Sequence, residues 1–104
     1  MKPKNYPLVE DIIYLKADSN YTLFYLQNGQ VFISSKTLKQ THLEHQFNLF
    51  LRVHKSYLLN PDFIDSISKD SNKLTIILKN GTKINVSRRK AIALQEYLSK
   101  FFTA

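Results

Sequence analysis

A mainly β domain with short α-helices is what these 104 residues predict, and three observations carry the prediction. Asn-Gly occurs twice, at Asn28-Gly29 and Asn80-Gly81, each time between apolar runs. Both central residues of a type I′ turn need positive φ, so this dipeptide is the strongest short hairpin signal. Brief β-branched and aromatic runs recur between polar breaks. One segment alone, the last, holds a long helical period, with Ala91, Leu94, Leu98, Phe101 and Phe102 on a single stripe.

Taken in order, residues 1–7 with Pro3 and Pro7 predict a lead-in or linker tail, because proline lacks a backbone donor and resists both helix and central strand. Residues 8–104 then form one domain, since a chain of this length supports one core but not two. Ile12-Ile13-Tyr14-Leu15 is apolar on both faces, as in a strand covered on two sides, and Asp18-Ser19-Asn20 ends it in a polar turn. Residues 21–26 and 31–34 make the first hairpin. Thr37 followed by Gln40 matches a capping box and starts a short helix running to about Gln46. Residues 50–60 read as extended chain and end at the turn Asn60-Pro61-Asp62. A shorter strand follows at 63–67, with Phe63 and Ile67 on one side and Ile64 opposite. Residues 74–78 and 83–86 make the second hairpin, and the C-terminal helix closes the chain.

Fifteen Lys and Arg against eight Asp and Glu give a formal charge of +7. Such an excess meets solvent or an anionic partner, nucleic acid before a membrane surface. Without cysteine there is no disulfide, no thiolate metal site and no cysteine nucleophile. No apolar run reaches the roughly 18 residues that span a bilayer, and no signal core follows the first lysines. The expectation is a cytoplasmic protein without membrane association. Both glycines are used in hairpins, which leaves none for a phosphate loop or a nucleophile elbow. His42 and His45 flank Glu44 but lack a third metal ligand. The chain is therefore expected to be neither an enzyme nor a cofactor binder.

Two polar clusters stand out. In residues 50–60, an extended strand places Arg52, His54 and Ser56 on one face and Leu51, Val53 and Tyr57 on the other, with Lys55 among them. The second cluster is Ser87-Arg88-Arg89-Lys90 at the start of the last helix. Cations there oppose the helix dipole by about 0.3–1 kcal/mol each, so stability alone favours acids. With Ser87 as cap, however, amides, hydroxyl and cations all suit an anion. A solvated basic turn is the alternative. Arg89 projects away from the apolar stripe, toward solvent or ligand. Lys55, among polar neighbours at a strand end or turn, suits a phosphate or a guanine edge, and Asn20 and Tyr21 suit adenine and phosphate at a loop edge, against solvated lysine and core tyrosine as the bland readings. His54 reads as a structural histidine donating to a backbone carbonyl, with Arg52 and Ser56 as its candidate partners. The hairpins echo at an offset of 52 residues, Ser35-Lys36 matching Ser87-Arg88, which makes Lys36 part of a second basic helix start.

Ile12-Ile13-Tyr14-Leu15, Asn20-Tyr21-Thr22, Ser35-Lys36-Thr37-Leu38, the whole of residues 50–60, and Asn80-Gly81 followed by Val86-Ser87-Arg88-Arg89 together resemble the LytTR DNA-binding domain, the output module of many bacterial response regulators. The resemblance covers about residues 9–100. It implies elongated antiparallel sheets with short helices, and loops rather than a recognition helix entering successive major grooves on one side of bent DNA. Carried over by motif, Lys55 and Arg89 read bases, Asn20 and Tyr21 occupy a third contacting loop, and Ser56, Arg88 and Lys90 touch the backbone. His54 becomes a framework residue.

The expected function is sequence-specific binding of double-stranded DNA in bacterial transcription regulation. The expected partners are repeated half-sites bound by two copies, as a homodimer on DNA, and a receiver or sensor domain in this or another chain. The chain reads either as the output half of a longer regulator or as a free-standing binder. Two rivals stand beside this reading. One is a single-stranded nucleic-acid-binding β domain using Tyr14, Tyr21, Phe24, Tyr25 and Phe32 as stacking platforms. The other is a protein-interaction or dimerisation module in which the cations are idle.

Overall fold

Strand β1 (Ile12–Asp18) is covered on both faces, and that property divides the core. A bulge between Ile12 and Tyr14, where β1 pairs with β2 (Tyr21–Leu26), inverts the alternation. Ile12 and Leu15 consequently pack with Phe24, Leu38, Phe47, Phe50 and Leu58 in one cluster. Ile13 joins Leu51, Val53, Leu59 and the second sheet in the other. The computed structural model describes residues 6–70 and 73–98.

The first sheet has the order β3-β2-β1-β5-β4, with β3 at Val31–Ser34, β4 at Leu51–His54 and β5 at Tyr57–Leu59. The second has the order β6-β7-β8, with β6 at Ile64–Asp70, β7 at Lys73–Leu78 and β8 at Lys83–Val86. All pairings are antiparallel. The chain is elongated, 48 × 25 × 21 Å.

Both Asn-Gly sites lie in hairpin turns, but the turn differs from the type I′ expected. In each, a three-residue loop is closed by two bonds, Gly29 N to Leu26 O and Leu26 N to Gln30 O in the first, Gly81 N to Leu78 O and Leu78 N to Thr82 O in the second. The glycines have φ of 91° and 93°, whereas neither asparagine has positive φ. Asn28 and Asn80 instead accept from the amides of Gln30 and Thr82, through side-chain oxygens. Glycine supplies the left-handed residue, and asparagine stabilises the turn from its side chain.

The capping box forms as the sequence predicts. The Thr37 hydroxyl accepts from Gln40 N, and the Gln40 side chain accepts from Thr37 N, opening helix α1 (Leu38–His42). This helix stops at His42 rather than near Gln46. Glu44 adopts extended geometry, and a separate 3-10 turn at His45–Phe47 buries Phe47 in the first cluster.

Residues 50–60 do not run as one strand. They fold back at Lys55-Ser56, where β4 meets β5, so the expected shared face of Arg52, His54 and Ser56 is replaced by a hairpin tip. After it, Asn60 is 3% exposed, accepts from Asp62 N and donates to Ile12 O, tying the turn to β1. β6 extends to Asp70, longer than expected, and its bulge between Ile64 and Ser66 turns Ile64 and Ile67 into the same core.

Helix α2 (Arg88–Leu98) lays Ala91 and Leu94 on the second cluster. The expected stripe residues Phe101 and Phe102 lie outside the described residues. Tyr6, assigned by composition to the lead-in, instead stacks on Phe24 with ring centroids 5.5 Å apart.

Candidate functional site

The registers bring several loops to one edge. β1 ends at Asp18, opposite Tyr21, so the Ser19-Asn20 turn lies at that edge. Thr22 pairs with Ser34, which brings the end of β3 and Lys36 there too. Lys16 pairs with Tyr57, and Ala17 N donates to Ser56 O, so the Lys55-Ser56 tip is beside them. With strands about 4.8 Å apart, the row from β3 to β4 spans about 20 Å. Ser87 N donates to Val53 O at 3.4 Å and continues the row to the start of α2.

Lys55 has little room to move at its backbone. Arg52 donates from Nε to His54 O at 3.1 Å and from Nη2 to Lys55 O at 2.6 Å. His54 accepts the Ser56 amide at Nδ1, 3.1 Å away, and its ring meets Tyr57 at 5.6 Å. The sequence reading had His54 donate to a carbonyl, but here it accepts from an amide. Of its predicted partners, Ser56 meets the ring through its backbone amide, whereas Arg52 bonds the His54 carbonyl and not the imidazole. Burial lowers the Arg52 pKa by disfavouring its charged form, although an arginine remains protonated in proteins.

Ser87 caps α2. Its Oγ accepts the Lys90 amide at 3.3 Å and its carbonyl accepts the Ala91 amide at 2.8 Å. Arg88 and Arg89 are exposed on the first turn. Between this turn and the hairpin tip lies a cleft of about 550 Å³ lined by Arg52, His54, Lys55, Ser87, Arg89 and Lys90. Among the described residues, no acid lines it. Cations sharing such a concavity repel one another, and a polyanion relieves that repulsion.

The structure thus brings Lys55, Ser87, Arg89 and Lys90 into one cleft and leaves Ser56 and Arg88 outside its lining. Asn20 and Tyr21 are exposed farther along the edge, Tyr21 by 51%. Ser19 beside them has φ of 55°, a conformation that favours glycine and fits a type II′ hairpin. Lys36 is different. Its ammonium bonds Glu44 at 2.8 Å, and this hydrogen bond raises its pKa above the usual lysine value. The two residues are eight positions apart, across a helix end, so no local pattern announces the pair. Arg52 and His54, members of the first polar cluster, also line the cleft.

Among the described residues, no group of three or more His, Cys, Asp or Glu is placed to hold a metal ion. None of the described helices is long and apolar enough to cross a membrane.

Comparison with known proteins gives a consistent result. The model of the LytTr DNA-binding domain matches residues 6–99. Sensory transduction protein LytT of Enterococcus faecalis is 33% identical over 98 residues, covering 86% of this chain and 40% of that protein. The Bacillus subtilis protein of the same name is 32% identical over 94 residues, covering 86% and 37%. The chain therefore spans about two fifths of the length of these relatives. A solved LytTr DNA-binding domain, from a Bacillus cereus protein described as a methyl-accepting/DNA response regulator, superposes with a TM-score of 0.72. It is 22% identical, with 86% of this chain and 82% of that one covered, and it supports the fold.

Proposed function

This chain belongs to the LytTr DNA-binding domain family, and from that premise we propose that it binds double-stranded DNA sequence-specifically to regulate transcription. The observation that carries the proposal is the acid-free cleft where the Lys55 tip meets the Ser87-capped start of α2. Lys55 and Arg89 read base edges in a major groove, because long cationic donors reach guanine O6 and N7. Lys90, Arg88 and the hydroxyls of Ser56 and Ser87 hold the flanking phosphates. Asn20 and Tyr21, farther along the edge, reach a further groove. Lys36 contributes less, because Glu44 already neutralises it. Two copies occupy repeated half-sites, and a receiver or sensor domain governs their assembly.

Single-stranded binding has less support. Phe24 is fully buried, Phe32 packs against the same cluster, and Tyr14 stacks on Tyr25 at 4.5 Å, so these rings are engaged with one another. Competition between duplex and single strand, repeated across a salt series, tests the proposal. Duplex should win, and log affinity should fall with log salt by about 0.9 per neutralised phosphate. A preference for single strands, or binding indifferent to salt, overturns it.

A further inference from the structure

We propose that β3 is a docking edge for a second copy of this chain: two copies pair antiparallel through Val31 and Ile33, and their five-stranded sheets join into one. The pairing does not depend on the DNA-binding reading above. Only what the pair then does with DNA rests on that reading.

β3 lies at the end of the first sheet, and among the described residues no strand pairs with its outer side. Leu26 N donates to Gln30 O, so these two residues bond each other across the hairpin. Bonding alternates along an antiparallel pair, and Val31 is opposite Tyr25, Phe32 opposite Phe24 and Ile33 opposite Leu23. The backbone of Phe32 therefore turns toward β2, while that of Val31 and Ile33 turns outward. The side chains at those two positions are apolar and uncovered, Val31 being 46% exposed and Ile33 62%. They share a sheet face with Tyr25 and Leu23, opposite the face on which Phe24 and Phe32 meet the first core cluster. β6, an outer strand of the second sheet, is built differently. It carries Asp65, Ser66, Ser68 and Lys69, the charged and polar residues that keep a strand edge from pairing, whereas β3 reads Val-Phe-Ile-Ser.

Charge selects a second copy as the occupant. The chain carries +7, so two copies repel across most faces, yet residues 19–35 hold no Asp, Glu, Lys or Arg although 22% of the chain is charged. Beside them, Lys36 is neutralised by Glu44. The first hairpin is thus a strip where two cationic chains meet without bringing like charges together. The edge is also self-complementary. With a two-fold axis at Phe32, Val31 of each copy exchanges both backbone bonds with Ile33 of the other, and the two side chains meet on one face. β3 runs toward the edge that carries the Lys55 tip, so its reversal places the two clefts at opposite ends of the joined sheet. Such a pair holds two duplex segments at once and is distinct from two copies side by side on one duplex.

Sedimentation equilibrium of the DNA-free chain should show a reversible dimer with a dissociation constant between about 1 μM and about 1 mM, the range of a short, transient contact. Ile33→Lys should weaken it about tenfold or more, whereas Ser68→Lys on β6, which adds the same charge at another exposed position, should not. A wild type that stays monomeric at about 1 mM overturns the proposal and leaves the edge to an unlike chain. An equal loss in both variants overturns it as well. Because the chain has no cysteine, introduced thiols report the register. Val31→Cys and Ile33→Cys, mixed, should cross-link to each other rather than to themselves, since directly opposed Cα atoms lie about 5.5 Å apart and those two places off lie too far apart for a disulfide. Either variant linking to itself as fast as to the other overturns the antiparallel pairing. With DNA, a duplex on beads should retain a second, labelled duplex through the wild type and not through Ile33→Lys. Equal retention by both, or none by a wild type that binds single duplexes, overturns the bridging. If the wild type dimerises and binds no duplex at all, the pairing stands and the DNA-binding reading fails.

Discussion

The amide of Ser87 and the carbonyl of Val53 are 3.4 Å apart, and this bond joins the strand that leads to Lys55 to the residue that caps α2. Val53 is fully buried and packs with Ile84 and Val86. The two halves of the cleft therefore rest on one core. Their relative placement is set by apolar packing, which brings two distant stretches of sequence to one cleft.

On the proposed reading, Arg89 contacts a base and Lys90 a phosphate. Arg89→Ala should lose about 1–3 kcal/mol on a preferred duplex and relax preference at one base position. Lys90→Ala should weaken preferred and random duplexes alike. Binding both variants to both duplexes checks the assignment. Equal losses for Arg89→Ala on both remove it from the base-reading set.

Glu44→Gln should release the Lys36 ammonium from its carboxylate partner and remove an anion near the edge proposed to meet DNA. Affinity for all duplexes should rise, with a steeper salt dependence. Lys36→Gln in the Glu44→Gln background should cancel the gain. Salt titrations of the two variants supply the comparison.

Thr37→Ala removes the hydroxyl that accepts Gln40 N and one side of the reciprocal cap. The expected loss is about 1 kcal/mol of folding stability, read by denaturant melting. DNA affinity should not change once the protein is folded, because Thr37 lies outside the cleft lining.

Tyr14 gives a pH signature. Burial first, then Tyr25 and Tyr57, pushes its pKa from 10.0 up to about 12. The unfolded chain thus releases this proton at lower pH than the folded one, so stability should fall from about pH 10 and level off near pH 12. Tyr14→Phe should remove this part of the alkaline slope. Denaturant midpoints for both proteins between pH 9 and about pH 12 read the difference.

Much of this architecture was legible because local chemistry and the fold agree. Thr37 and Gln40 cap a helix through their own backbone, and Gly29 and Gly81 mark turns that need a positive φ. The Lys55-Ser56 turn was legible only as one option, a strand end or turn among polar neighbours. It has no glycine, proline or asparagine, and it holds its shape through Arg52 and His54, whose bonds no spacing rule expresses. The bulges at Ile12/Tyr14 and Ile64/Ser66 were hidden for a similar reason, since they invert an alternation that otherwise reads as regular. At the site, charge and capping exposed Ser87, Arg89 and Lys90. The meeting of Lys55 with them depends on the Val53 and Val86 packing, and that is tertiary.

The central claim is that this edge reads duplex sequence, and selection of random duplex DNA by the purified chain tests it most directly. The account predicts an enriched motif, repeated as half-sites, bound with a steep salt slope and lost in Lys55→Ala and Arg89→Ala. Weak, uniform binding without enrichment, by a chain shown to be folded, would contradict it.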